Sequence, residues 1–239
     1  MARERWQEAS SGDFVYPGDT LVRLRAEEAY VLGNGVAQTQ EALVATKAGV
    51  LVVQPSGSKA KKFWIDNAQR RYVPALEDVV VGTVVEKHSE NYKVDIGSAF
   101  PATLSVLGFE GASRKNRPML QVGSLVYGRV VVANKDMDPE ILCHHASGKA
   151  RGFGELTGGH VVECSLRLCR SLLLGQNPVL AALGALFPYE IVIGLNGFVW
   201  LNSERPRNTI LLANAILNSE FLSPGQIKTM VEKMKAKVQ

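Results

Sequence analysis

Of 239 residues, 46% are hydrophobic and 21% charged, the balance of a globular protein built as one large domain or two to three small ones. With 27 basic residues against 23 acidic ones the net charge is only +4, so a polyanionic partner has to be argued from where charges cluster and not from their total. Three irregularly placed cysteines (Cys143, Cys164, Cys169) exclude a disulfide framework, no apolar run reaches the length of a membrane span, and Met1 to Ser10 carry charges where a signal peptide has its apolar region, which predicts a soluble protein of the reducing cell interior.

From Phe14 to Val73 the chain reads as short strands, Thr20 to Leu24, Ala42 to Thr46, Gly49 to Val53 and Lys62 to Asp66. The turns between them are Pro17-Gly18-Asp19, Gly33-Asn34-Gly35 and Pro55-Ser56-Gly57-Ser58. This predicts a small all-β domain over residues 1–76, ended by the proline and acids of Pro74 to Asp78. Phe63, Trp64 and Tyr72 are its large apolar residues, and serve equally as core or as anchors on a neighbouring protein.

A second all-β unit follows, assigned to residues 77–147, with strands Val79 to Glu86, Tyr92 to Ile96, Phe100 to Ser105, Leu125 to Ala133 and Glu140 to His144. Tyr92, Val94 and Ile96 alternate with Lys93 and Asp95, giving one buried and one wet face. Gly82 and Gly128 fall inside long strands where a small barrel bends sharply. Five strands with a long link between the third and fourth predict an OB barrel.

Residues 148–239 change to a mixed α+β pattern. Gly152-Phe153-Gly154 and Gly158-Gly159 read as a linker. A strand over Gly159 to Glu163 leads into a helix over Ser165 to Leu174, and Asn177-Pro178 supplies an N-cap and a first-turn proline for Val179 to Leu186. Next comes a hairpin, Tyr189 to Ile193 and Phe198 to Leu201, turning at Gly194-Leu195-Asn196-Gly197. A GxxG clamps RNA where one helix hands over to the next, because glycines without Cβ admit phosphates to the backbone. Here the flanks are β-branched and aromatic, so these glycines read as turn residues. Asn208 to Leu217 is apolar enough to be packed, and a last helix starts at Ser223-Pro224 with Ile227, Met230, Val231 and Met234 on one stripe.

The link between the third and fourth barrel strands carries Arg114-Lys115-Asn116-Arg117. OB barrels bind single strands with loop cations on phosphates and strand-face aromatics under bases. His88, Tyr92, Lys93 and Lys135 lie at or beside strand ends and extend the same candidate patch, although Tyr92 also fits the core. Cys143, His144 and His145 do not make a metal site, since adjacent strand residues point to opposite faces and no second Cys/His pair stands at zinc spacing. Cys164 and Cys169, five apart on helix-like sequence, read as packing residues on different faces. No nucleophile with a base, paired carboxylates or phosphate-cradling loop is present, so no catalytic residue and no cofactor is assigned.

Taken together, Tyr16-Pro17-Gly18-Asp19, Arg71-Tyr72-Val73-Pro74, Phe109-Glu110-Gly111-Ala112 running into Arg114 to Pro118, Val131 to Met137, and Glu190 to Gly194 with Asn196-Gly197 resemble the KH-containing cap subunits of the eukaryotic RNA exosome from about Tyr16 to the C-terminus. Two cap subunits share this domain order, and Asn134 to Met137 with the Phe109 to Pro118 loop favour one of them. The resemblance implies an N-terminal β domain, a central S1-type OB domain and a C-terminal KH-like domain with terminal helices, in a protein without nuclease activity of its own. It implies single-stranded RNA, RNase PH-like ring subunits, other cap subunits and associated nucleases as partners, no membrane, work in rRNA processing and RNA decay, and residence in nucleus, nucleolus and cytoplasm. Carried over residue by residue, Arg114, Lys115 and Arg117 become the first choice for RNA contacts, Lys93 and Lys135 the second. The family carries GxNG in place of a clamping GxxG, so Gly194, Asn196 and Gly197 become structural residues at the contact between the last two domains. The competing reading is a free-standing translation or RNA-chaperone factor built from the same modules.

Overall fold

A computed structural model describes residues 9–25, 28–56, 60–113, 115–116, 118–134 and 136–238, with side chains described as far as Lys235. Contacts divide the chain into two compact units, 1–69 and 70–239.

In the first unit, two small sheets wrap one core. Phe14–Val15 (β1), Ala29–Leu32 (β3), Gly49–Ser56 (β6) and Ala60–Asp66 (β7) form a sheet ordered β1-β6-β7-β3, while Thr20–Arg23 (β2), Val36–Gln38 (β4) and Ala42–Ala45 (β5) form one ordered β2-β5-β4. β6 and β7 make the longest hairpin, from Val50 opposite Asp66 to Ser56 opposite Ala60. Val15, Leu21, Leu43, Leu51, Phe63 and Ile65 fill the core between the sheets, each fully buried aliphatic side chain contributing about 1.5–3 kcal/mol. Phe63 is therefore core and not an anchor. Trp64 is half-buried, with the Lys62 ammonium 5.7 Å from its ring centre. Tyr72 belongs to the core of the second unit.

The second unit is mostly β, with a barrel followed by a helix-bearing layer. Val79–Lys87 (β8) pairs antiparallel with Asn91–Asp95 (β9), and Ala102–Phe109 (β10) pairs antiparallel with β9. Leu125–Val132 (β11) lies against the other side of β8. Glu140–Cys143 (β12) closes the barrel, parallel to β10 and antiparallel to β11. Tyr92, Val94, Ile96, Leu104, Val126, Val130 and Ile141 point inward. At Gly82 a Cβ would lie 2.4 Å from Val94 Cγ1, so the glycine is where the barrel interior leaves no room for a side chain. The third strand starts at Ala102, after the Phe100-Pro101 turn, and runs on to Phe109. Gly154–Leu156 (β13) adds a sixth strand, pairing with β11 so that Gly154 stands opposite Tyr127. The Gly152 to Gly154 segment is thus no linker: the Phe153 ring stacks on Tyr127 at 4.7 Å, and tertiary pairing overrides the local glycine signal.

The remaining elements run His160–Glu163 (β14), Leu166–Leu173 (α1), Val179–Gly184 (α2), Glu190–Ile193 (β15), Phe198–Asn202 (β16), Pro206–Asn218 (α3) and Pro224–Val238 (α4), with sheet order β14-β16-β15. Local chemistry sets the helix starts. Ser165 Oγ accepts from Leu168 N at 3.0 Å, and Asn177 Oδ1 accepts from Val179 N at 3.0 Å. Ser223 and Gln226 form a capping box, with Gln226 Oε1 accepting from Ser223 N and Ser223 Oγ from Gln226 N. α2 stops at Gly184, two residues before the predicted Leu186. Leu168, Leu172, Val179, Leu183, Leu201, Leu212, Ile216 and Ile227 form the shared core. Cys164 precedes the Ser165 cap and is not on α1, so helical spacing does not separate it from Cys169: the Cys169 thiol donates to Cys164, holding Cys164 below the ordinary thiol range and Cys169 above it.

Candidate nucleic-acid interface

β9 ends at Asp95, opposite Thr83, so on that side of β8 the backbone of Val81 has no strand partner. Asn196, only 5% exposed, fills the place. Its Oδ1 accepts from Val81 N at 3.2 Å, and its Nδ2 donates to Val81 O at 2.7 Å and to Ile96 O at 2.9 Å. Leu195 N donates to Val79 O at 2.8 Å. A Cβ on Gly194 would sit 2.2 Å from Asn196 Oδ1 and 2.8 Å from Val81 N, while Gly197 holds φ +91 and accepts Cys164 N at 2.7 Å. Gly194 N and Gly197 N donate to Phe198 O and Gly194 O. The loop that looks like an RNA clamp spends its amides on the protein itself, leaving those of Gly194, Leu195 and Gly197 unavailable to a phosphate.

Strand directions then separate the candidate cations. β10 runs antiparallel to β9, so its C-terminus lies at the same barrel end as the β8–β9 turn. The connection 110–124 leaves from that end. Tyr92, buried in the core, donates its hydroxyl to Pro118 O at 2.9 Å, and Leu120 is fully buried. Lys115 is exposed on a tight turn in which Ser113 N donates to Asn116 O and Asn116 N to Ser113 O. His88 shares this end, its Nε2 lying 3.3 Å from Glu86. β12 runs parallel to β10, so the connection that enters it, with Asp138, arrives at the opposite end. Lys93 reaches towards that opposite end, where its ammonium lies 2.7 Å from Asp138 Oδ2 and 3.1 Å from Thr103 Oγ1. Lys93 and Lys115 therefore do not form one patch. Arg114, Arg117 and Lys135 lie outside the described residues. The outward positions of β9 and β10, namely Asn91, Lys93, Asp95, Thr103, Ser105 and Leu107, carry no aromatic ring for stacking bases.

A second connection, with Lys149 and Arg151, shares the Lys115 end. β12 delivers Cys143 opposite Phe109, so the connection 144–153 starts beside the connection 110–124. Ala150 N donates to Glu110 Oε2 at 2.6 Å and ties the two together. His144 Nδ1 contacts His145 O, and among the described residues no group of three His, Cys, Asp or Glu side chains is placed to hold a metal ion. The available signal was compositional, ten residues with two cations and no acid.

Comparison with known proteins matches residues 72–154 to the family model described as exosome complex component RRP40, S1 domain, and residues 159–207 to a KH domain model. The exosome complex component rrp40 of Schizosaccharomyces pombe is 47% identical over 218 residues, spanning 88% of this chain and 89% of its own length. The exosome complex component RRP40 of Homo sapiens is 40% identical over 207 residues, 85% of this chain and 75% of its own. A crystal structure of an exosome complex RNA-binding protein, 23% identical, matches 71% of this chain and all of its own with a TM-score of 0.59, a likeness of fold.

Proposed function

The chain belongs to the exosome complex component RRP40 family, and on that premise we propose that it is a non-catalytic, RNA-binding cap subunit of the exosome that braces an RNase PH-like ring and guides single-stranded RNA towards a nuclease. It acts in nucleus, nucleolus and cytoplasm, in rRNA processing and RNA decay. The observation that carries the guiding role is the exposed Lys115 turn, flanked in sequence by Arg114 and Arg117, at the barrel end opposite the Asn196 contact. Cations there attract the phosphate chain, and without stacking rings on the β9–β10 face the contacts are weak and blind to sequence, which lets a strand slide. With three to five phosphates neutralised, log K falls with log salt at a slope of roughly −2 to −4, at about 0.7 per phosphate on single strands.

Arg114→Ala with Arg117→Ala, placed in the reconstituted complex, weakens RNA capture at matched salt and leaves assembly intact. Equal capture by mutant and wild-type complexes overturns the guiding role.

Bracing falls to the first unit. Phe14 and Tyr16 stand 58% and 62% exposed, their rings edge to face at 5.2 Å, a rigid aromatic pair of the kind that anchors interfaces. Phe14→Ala with Tyr16→Ala reduces co-purification with ring subunits. A free-standing factor would instead elute as a small species from native extract, and that size measurement separates the two classes.

A further inference from the structure

We propose that the connection His144–Phe153 is a second phosphate-binding segment, in which Lys149 and Arg151 take up the same single-stranded RNA as the Lys115 turn. The inference rests on the guiding role above and extends it to residues outside the 110–124 loop.

Four observations carry it. First, strand direction puts the segment at the Lys115 end, and the Ala150 N to Glu110 Oε2 bond fixes it against the root of the neighbouring loop. Second, it is a built turn: His145 N donates to Lys149 O and Gly148 N to His145 O, both at 2.8 Å. Its far end is pinned by the Phe153–Tyr127 stack and by Gly154 opposite Tyr127. A pre-ordered loop loses little entropy on binding. Third, Lys149 and Arg151 are exposed, no ion pair is drawn to either among the described residues, and the segment contains no acid. Of the carboxylates at this end, Glu110 accepts from Ala150 N and Glu155 from Ser124 Oγ at 3.0 Å, Glu86 lies 3.3 Å from His88 Nε2, and Glu90 stands exposed on the β8–β9 turn. Fourth, Arg151 holds φ 45, a left-handed conformation that a glycine adopts without strain and that costs a residue with a Cβ on the order of 1 kcal/mol. An arginine kept there, next to Gly152, places its guanidinium at a position where local stability favours a smaller residue.

The test uses the full-length chain and a fluorescent oligouridylate, titrated at several salt concentrations between about 50 and 200 mM. Lys149→Gln with Arg151→Gln should weaken binding and make the log K against log salt slope shallower by about 1.4, two phosphates at about 0.7 each. Lys228→Gln with Lys233→Gln, the same charge change on α4, should leave the slope unaltered. Arg151→Gly removes the charge and the backbone strain together, so it should bind RNA less well while melting no lower than wild type, which separates lost contact from lost folding. Wild-type slope and affinity in the Lys149/Arg151 double variant overturn the inference while leaving the guiding role intact if Arg114→Ala with Arg117→Ala still weakens binding. An equal effect of the α4 pair overturns it too, as a response to net charge. Absence of salt-dependent RNA binding by the wild-type chain removes both.

Discussion

The two ends of the barrel are finished in opposite ways. Where β9 stops short, Asn196 is inserted into the gap and every polar atom of its side chain is hydrogen-bonded to backbone. Where β10 and β12 run out, two tethered loops emerge on which Lys115, Lys149 and Arg151 are exposed. A glycine-bearing loop with the look of a nucleic-acid clamp thus does structural work at one end, and loops without a clamp motif supply the charge at the other. The difference teaches that backbone amides bind phosphate only when the fold leaves them unspent, and that counting bonds decides the matter where motif spelling does not.

The comparison breaks most sharply at Asn196. Asn196→Ala leaves one N–H and two carbonyls without partners in a buried contact, a cost of about 3–5 kcal/mol. That corresponds to a drop in melting temperature of about 10 °C for a unit of this size. Gly194→Ala acts in the same direction, since its methyl collides with the same Oδ1 at 2.2 Å. Thermal unfolding of either variant at wild-type temperature would show that this end is no more committed to packing than the other.

Alkaline titration reads the closed end more gently. The Tyr72 hydroxyl donates to Asp78 Oδ2 at 2.8 Å just before β8 begins. Burial first, then the Asp78 charge, push its ionisation well above the ordinary tyrosine range. The unfolded chain releases this proton near pH 10 while the folded chain retains it, so the stabilisation is complete below about pH 10 and is lost as pH rises towards the raised folded value. Tyr72→Phe should lower stability at neutral pH by about 1–2 kcal/mol and flatten its decline above pH 10. Burial raises Tyr127 and Tyr189 as well, so some decline persists in the variant. An unchanged slope in urea denaturation across that pH range would remove Tyr72 from the account. The thiols give a parallel reading: Cys164, half-buried and held low by Cys169, should alkylate first at pH 8, whereas Cys143, buried in the barrel and pushed up to about 12, should react only on unfolding.

What the sequence discloses follows the range of the interactions involved. The alternation of Tyr92, Val94 and Ile96 with Lys93 and Asp95, and the caps at Ser165 and Ser223, depend on neighbours within a few residues, and the strands and helices they announce are present. β1, β3, β4 and β13 are not legible in the sequence because short strands have no pattern of their own and are recruited by partners, as Lys62 recruits Val31 and Tyr127 recruits Gly154. At the site the same limit applies. Lys93 read as an unengaged cation because Asp138, which holds it, lies 45 residues further on. The grouping of residues 144–153 with the Lys115 loop depends on β12 running parallel to β10, a fact of topology with no local signature.

The smallest stability effect belongs to the open end and sharpens the contrast. The Lys115 turn is made by backbone bonds between Ser113 and Asn116, with Ser113 Oγ also accepting from Asn116 N at 3.1 Å. The lysine side chain is not needed to form it. Lys115→Gln should therefore alter unfolding free energy by no more than about 0.5 kcal/mol, as for an exposed substitution away from packing, while the salt dependence of RNA binding loses about 0.7 from its slope. Chemical denaturation and RNA titration on one preparation check both halves. A loss of more than about 1 kcal/mol would mean that the open end, like the closed one, is holding the barrel together, and its charge would then be a by-product of folding and not a surface kept for a polyanion.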